Sequence, residues 1–170
     1  MEMVDAMKLE DLAAIVVGHS SWHPGIIGLV AGKVREKYNR PAFVMSYNVE
    51  TRDAKGSARS IPGFNLADCL RNFPDLVQGG GHAMAAGFST SVDKVEQVKK
   101  AFNAYAKKLL TAEDFVPVVE VSALMEGKDV SFDAVEQLQL LAPFGMANPT
   151  PVFATEKARV HMVKPTRNEN

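Results

Sequence analysis

The sequence lacks most of the residue patterns by which familiar sites are recognised. Cys69 is the single cysteine among 170 residues, which excludes an intramolecular disulfide and a cysteine-rich zinc site and favours a reducing, cytoplasmic setting. No apolar run approaches the roughly 18 residues of a membrane-spanning helix. There is no Gly-x-x-x-x-Gly-Lys-Ser/Thr loop and no His-Glu-x-x-His pair. What remains is a chain that is 46% hydrophobic, enough for one good-sized domain or a domain plus a fragment.

Positive and negative side chains are nearly equal in number, and the formal net charge at pH 7 is −1. The signs are nevertheless separated along the chain. Residues 33–59 carry seven Lys or Arg and three acids, whereas residues 113–137 carry seven acids and one Lys. A partner that carries phosphate is therefore expected to bind the first half. The alternative is that these charges are solvated faces of helices.

Hydrophobic spacing predicts an α/β domain that opens with a strand, a loop, a helix and a second strand, and a change of composition at residues 111–114. Cap residues and prolines set most of the boundaries. The predicted elements are strands over 12–17, 42–47, 88–90, 115–124 and 152–163, an extended segment over 55–61, and helices over 26–38, after Asn65, after Ser91 and after Ser131.

Residues 78–87 read Gln-Gly-Gly-Gly-His-Ala-Met-Ala-Ala-Gly. Three consecutive glycines bring no side chain to a core and lose the most backbone entropy on folding. We therefore predict a tight turn that exposes backbone N–H groups and the imidazole of His82, followed by a closely packed segment. Such a turn would suit a phosphate. A glycine-rich hairpin with a surface histidine is the alternative.

A second informative stretch is Gly56-Ser57-Ala58-Arg59-Ser60. An extended segment of small and polar residues can direct two hydroxyl groups and a guanidinium at one anion. On its own, the stretch is equally compatible with an exposed edge strand whose Ser and Arg side chains are solvated.

Five segments together resemble one family, because they occur in its order and at similar spacing. The first four resemble the DHH-associated domain of RecJ-type exonucleases, and the fifth resembles the junction to the OB-like domain of that family. Ala147 stands where the family usually has glycine. The segments are Trp22–Gly28, Asn39–Pro41, Gly56–Ile61, Gly79–Gly87 and Pro143–Phe153.

The resemblance implies an α/β substrate-binding domain with a mixed sheet and packed helices over residues 1–110. Residues 111–170 would form a linker, a helix and the truncated, β-rich start of an OB-like domain. It also implies a 5′→3′ exonuclease specific for single-stranded DNA in recombination and repair. The Mn²⁺ or Mg²⁺ ions of that family are held by an N-terminal DHH domain. No Asp-His-His triplet occurs here, so the chain is expected to bind single-stranded DNA, to pair with its DHH domain, and to be inactive alone.

The resemblance assigns no catalytic residue and no metal ligand to this chain. Trp22 is a candidate stacking surface for a base, and Phe64 is expected in the core. Two alternatives stay open: another DHH-family phosphodiesterase acting on short oligonucleotides or cyclic dinucleotides, and a non-catalytic nucleic-acid-binding module like the C-terminal domain of alanyl-tRNA synthetases. The residues assigned to nucleic-acid binding are Ser57, Arg59, Ser60, Gly79, Gly80, Gly81, His82 and His23.

Overall fold

The structure is a computed structural model that describes residues 2–159 and 161–164. It contains two compact units, Met1–Pro117 and Val118–Asn170. The first unit holds the helices α1 (Glu2–Asp5), α2 (Ile27–Tyr38), α3 (Leu66–Arg71) and α4 (Val95–Leu109) and the strands β1 (Ile15–His19), β2 (Ala42–Asn48), β3 (Asp53–Arg59), β4 (Gln78–Gly81) and β5 (Ala85–Ser91). The second holds α5 (Phe132–Gln139), β6 (Ala123–Leu124) and β7 (Phe153–Ala154).

The five strands of the first unit form one mixed sheet in the order β1-β2-β3-β5-β4. Strands β1 and β2 are parallel and are joined through α2, whereas every other neighbouring pair is antiparallel. The predicted α/β class with a mixed sheet and packed helices is therefore confirmed, as is the strand–helix–strand opening.

The two faces of this sheet are covered unequally. On one face, α3 and α4 bury an aromatic cluster in which the rings of Phe43, Phe88 and Phe102 pack with centroids 4.6 to 6.0 Å apart. On the other face, α2 packs its apolar stripe on β1 and β2. Small and polar residues of β4 and β5 stay exposed on that second face, among them Gly80, Gly87 and Ser89.

Local signals explain where the helices of the first unit begin and end. Asn39 ends α2 in the left-handed region at φ 45°, a conformation that asparagine tolerates better than most residues. The Asn65 side chain accepts hydrogen bonds from the N–H groups of Ala67 and Asp68 and so caps α3. Ser91 accepts from the N–H of Asp93 at the start of a 3₁₀ turn that leads into α4.

The prediction of a tight turn at the three glycines was wrong. Gly79, Gly80 and Gly81 lie in β4, an edge strand paired with β5, and the turn follows them at residues 82–84. Glycine has low strand propensity, but here its lack of a side chain allows β4 to approach β5 closely. A Cβ on Gly79 would lie 2.3 Å from the carbonyl oxygen of Gly87.

The second unit is built from short elements. Strands β6 and β7 pair in parallel over two residues each, and the Ser131 side chain caps α5 by accepting from Ala134 N–H. The Asn148 side chain ties the proline-rich connector together by donating to the carbonyl oxygens of Leu141 and Pro143. None of the described residues of this unit is buried.

Two strand predictions in this half were too long. Of the strand expected over 115–124, only Ala123–Leu124 forms, because Phe115 belongs to a 3₁₀ turn and the valines that follow are exposed and without a strand partner. Of the strands expected over 152–163, only the two residues of β7 form a strand; Val160 lies outside the described residues.

No helix among the described residues is long and apolar enough to cross a membrane.

Candidate nucleic-acid interface

The exposed part of the sheet on the α2 side presents three rows of residues that run from β3 across β5 to β4 or the residue after it. The alternation of β3 puts Lys55, Ser57 and Arg59 on this side, because the intervening Ala54 and Ala58 are buried in the aromatic core. The strand register then fixes the rows, which we call the open face: Arg59–Ala85–His82, Ser57–Gly87–Gly80 and Lys55–Ser89–Gln78.

Arg59 is held in place without a carboxylate. Its Nη1 donates to the carbonyl oxygen of Ala58 at 2.9 Å and to Ser57 Oγ at 3.4 Å. Within the described part of the chain, no ion pair includes Arg59. A half-buried guanidinium that is fixed by neutral acceptors keeps its charge available for an external anion.

The first turn of α2 lies directly over this arginine. A Cβ on Gly28 would be 3.3 Å from Ser57 Oγ and 3.5 Å from Arg59 Nη2. The first N–H groups of a helix have no partner four residues back, and the helix dipole adds partial positive charge there. No side chain at Ile26 caps this end. The first turn of α2 therefore lies against a guanidinium and a hydroxyl group, and these three features each favour phosphate.

His23 belongs to the loop that leads into α2. Its Nδ1 accepts a hydrogen bond from the N–H of Gly25 at 3.0 Å. In the neutral ring this bond requires Nδ1 to be unprotonated, so that Nε2 carries the proton and can donate to a ligand. The exposed ring of His23 is thereby fixed beside the start of α2.

The middle of the open face is a floor almost without side chains. A Cβ added to Gly80 would meet nothing within 4 Å, and one added to Gly87 would meet only the Gly56 carbonyl oxygen at 3.9 Å. Two strand spacings, about 10 Å, separate β3 from β4. Arg59 and His82 therefore stand at opposite ends of the row beside this floor, with Ala85 between them, and a phosphate could approach the backbone at the two glycines.

Gly79 and Gly81 differ from Gly80 in what their backbone does. The N–H of His82 donates to the carbonyl oxygen of Ala85, and hydrogen-bonded positions alternate along an antiparallel ladder. Gly80 therefore bonds to β5, whereas the N–H groups of Gly79 and Gly81 are directed to the outer edge of the sheet. All three glycines are exposed.

The structure does not place the Ser60 side chain on the open face, contrary to the assignment from the sequence. Ser60 is 1% exposed, and its Oγ donates to the carbonyl oxygen of Phe64 at 2.6 Å. Its own N–H donates to the carbonyl oxygen of Met84. Ser60 thus joins the end of β3 to the β4–β5 turn. Phe64 is 2% exposed, in agreement with its expected place in the core.

Several basic side chains of residues 33–59 bind other groups of the protein and do not lie on the open face. Arg40 donates to the carbonyl oxygens of Leu12 and Tyr38, and burial lowers its pKa. Lys37 pairs with Asp5, and Arg52 pairs with Asp93. Of the seven bases, Lys55 and Arg59 are the two whose positions on β3 place them on the open face.

Several residues of this surface were not assigned to nucleic-acid binding from the sequence. Among them are Gly28 over Arg59, Gly87 in the floor and Lys55 in the third row. The period of two in Lys-Gly-Ser-Ala-Arg could have placed Lys55 beside Ser57 and Arg59. Gly28 and Gly87 carry no such signal, because each is defined by an element distant in sequence.

The DHHA1 domain model matches residues 11–108, more than half of the chain. The chain belongs to the DHHA1 domain family. This DHHA1 domain is followed by a match to the RecJ OB domain over residues 121–170. The single-stranded-DNA-specific exonuclease RecJ of Bacillus subtilis (strain 168) is 40% identical over 165 residues, which cover 96% of this chain and 21% of that protein. That of Escherichia coli (strain K12) is 29% identical over 79% of this chain and 24% of that protein.

Solved structures agree with these matches. RecJ of Thermus thermophilus in complex with Mn²⁺ aligns with a TM-score of 0.76 at 29% identity, over 91% of this chain and 22% of that one. Its complex with Mg²⁺ aligns with a TM-score of 0.72 at 31% identity, over 84% and 22%. The resemblance to RecJ-type exonucleases is thereby confirmed. The DHHA1-containing chain spans about a quarter or less of the length of these relatives.

The histidines of this chain are spread over both units. His19 ends β1, His23 precedes α2, His82 follows β4, and His161 lies in the second unit. Within residues 2–159 and 161–164, no group of three or more His, Cys, Asp or Glu side chains could hold a metal ion.

Proposed function

We infer that this chain is the DNA-binding portion of a 5′→3′ single-stranded-DNA-specific exonuclease of recombination and repair. The observation that carries the proposal is the convergence of Arg59, Ser57 and the first turn of α2 beside a glycine floor. The names of the relatives, each a single-stranded-DNA-specific exonuclease, support the choice of substrate. A cytoplasmic location belongs to the same proposal.

The geometry supports a division of roles on the open face. Arg59 and Ser57 would hold a phosphate at the end of the strand beneath the α2 N-terminus. His82 would contact the same DNA strand from the β4 side of the open face. Gly80 and Gly87, which carry no side chains, would let the DNA backbone lie close to the sheet. His23, with its free Nε2 donor, is a further contact beside α2. These contacts bind and orient DNA, and none of them breaks a bond.

Bond cleavage would belong to a DHH domain that pairs with this chain. In that domain Mn²⁺ or Mg²⁺ would activate a water and neutralise the charge of the leaving oxygen. RecJ of Thermus thermophilus has been crystallised with each of these ions. The role left to this chain is to hold the substrate.

Removal of the Arg59 guanidinium tests the proposal. Arg59→Ala should weaken binding of a single-stranded oligonucleotide by about 1.5–3 kcal/mol, because a charge-assisted contact to phosphate is lost. The salt dependence of log K should also fall by about 0.7, the share of one phosphate contact on a single strand. Fluorescence anisotropy over a range of KCl concentrations measures both quantities.

Arg71→Ala is the matched control for that titration. Arg71 is an exposed arginine of α3, pairs with Asp68, and belongs to a helix that packs on the opposite face of the sheet. The Arg71→Ala substitution should leave both the affinity for the oligonucleotide and its salt dependence unchanged. An Arg59→Ala protein that also kept both would remove Arg59 from the DNA site.

The isolated 170-residue chain should not degrade single-stranded DNA, even with millimolar Mn²⁺, since by family resemblance the metal ligands belong to the DHH domain. The assay follows a 5′-labelled oligonucleotide over time, without and with a separately expressed DHH domain. Metal-dependent release of mononucleotides by the chain alone, abolished by His82→Ala, would place a complete active site within it.

The two alternatives make different predictions for binding. A phosphodiesterase for short oligonucleotides or cyclic dinucleotides would bind a dinucleotide as tightly as a long strand. A module of the alanyl-tRNA synthetase type would prefer a tRNA acceptor stem. The RecJ OB match over residues 121–170 favours the exonuclease.

A further inference from the structure

A cleft adjoins the open face at Lys55. It has a volume of about 800 Å³ and lies within the first unit. One wall is the loop Trp22-His23-Pro24 that precedes α2, and the other is the hairpin between β2 and β3. Lys55 lines this cleft and also forms the third row of the open face, so the two surfaces are continuous.

Both walls of the cleft are ordered by hydrogen bonds. Ser46 Oγ donates to the carbonyl oxygen of Trp22 at 2.5 Å and so fastens the loop to β2. In the opposite wall, Asn48 Oδ1 accepts from the N–H groups of Glu50 and Thr51. A ligand would therefore enter a preformed space, at a small cost in conformational entropy.

Charge is distributed unevenly along the cleft. Lys55 is exposed, and no ion pair in the described part of the chain includes it. Asp53, two residues further along the same side of β3, and Glu50 also line the cleft. An anionic group is favoured at Lys55 and disfavoured beyond it, whereas an uncharged ring meets no such repulsion.

We propose that Lys55 and this cleft form a second nucleotide subsite. The subsite rests on the proposed function, in which Arg59 and Ser57 hold the first phosphate. Two residues along a strand span about 6.7 Å, a step of the same order as that between successive phosphates of an extended single strand. Lys55 binds the second phosphate, and the base enters the cleft against Trp22. Beyond that point Asp53 and Glu50 exclude a third phosphate from β3.

Trp22 is the single tryptophan of the chain, so its fluorescence reports on the cleft directly. Two probes separate the subsites: thymidine 5′-monophosphate and the 5′-phosphorylated dinucleotide of thymidine. Wild-type protein should bind the dinucleotide about tenfold more tightly than the mononucleotide. The dinucleotide should quench Trp22 fluorescence more strongly than the mononucleotide at equal occupancy.

Three variants distinguish failure of the subsite from failure of the function. Lys55→Ala should lower affinity for the dinucleotide about five- to tenfold and leave the mononucleotide unaffected. Arg59→Ala should weaken binding of both probes. Lys108→Ala, at an exposed lysine of α4 on the opposite side of the sheet, should change neither.

Each result bears on a different claim. If Lys55→Ala behaves like Lys108→Ala while Arg59→Ala loses both probes, the second subsite is overturned and the proposed function stands. If Arg59→Ala also binds both probes normally, the DNA site itself is overturned. Failure of wild-type protein to bind either probe at millimolar concentration would overturn both.

Discussion

Gly79→Ala and Gly81→Ala should each lower the free energy of unfolding by about 2–3 kcal/mol or more, because the added methyl group meets backbone atoms. At Gly79 the Cβ would lie 2.3 Å from the carbonyl oxygen of Gly87. At Gly81 it would lie 2.4 Å from the carbonyl oxygen of Ala85, and φ is 156°. The hydrogen bonds between β4 and β5 fix these atoms, so β4 has to move away from β5 before an alanine side chain fits.

Gly80→Ala is the matched control, because a Cβ there meets nothing within 4 Å. Its stability should stay within about 1 kcal/mol of the wild-type value, given the range of strand propensities. Thermal unfolding followed by circular dichroism should show a fall of about 5–10 °C for the outer two glycines. Equal melting temperatures for all three variants would mean that the glycines do not pair with β5 as the structure has them.

Much of the first unit could be predicted from sequence because its signals are local. The apolar spacing of α2 and α4, the cap at Asn65 and the stop at Asn39 each act within a few residues. A buried strand such as β2 is a short run of apolar residues. The order of these elements then points to a strand–helix–strand unit.

The glycine segment could not be placed in this way because its conformation depends on a distant strand. Glycine favours turns by its own propensity, and nothing within residues 78–82 indicates an edge strand. What decides is the pairing with β5, where Gly79 and Gly81 allow a close approach. The prediction from local sequence was therefore a turn, displaced by three residues from the actual one.

Ser57 and Ser60 show the same limit within the site. Both flank Arg59 closely in sequence, and both hydroxyl groups were assigned to an anion. The alternation of β3 keeps Ser57 on the side of Arg59, whereas Ser60 follows the strand and donates to the Phe64 carbonyl oxygen. The partner of Ser60 exists only once the chain turns back after β3.

Gly87→Val should abolish most DNA binding while leaving the protein folded. Gly87 lies in the floor opposite Ser57, and the nearest atom to an added Cβ is the Gly56 carbonyl oxygen at 3.9 Å. Valine is favoured in strands over glycine, so stability should stay within about 1 kcal/mol of wild type or rise. Its branched side chain would occupy the space above the floor, and affinity for single-stranded DNA should fall about tenfold to a hundredfold as contacts to phosphate are lost.

Combining this change with Arg59→Ala tests whether both act on one phosphate. Two changes that remove the same contact are not additive, so Arg59→Ala/Gly87→Val should bind single-stranded DNA little worse than Gly87→Val alone. Anisotropy titrations of the four proteins at one salt concentration, with unfolding curves for each, complete the cycle. Fully additive losses would place Gly87 and Arg59 at independent contacts, and unchanged affinity in Gly87→Val would show that DNA does not cross the floor between β3 and β4.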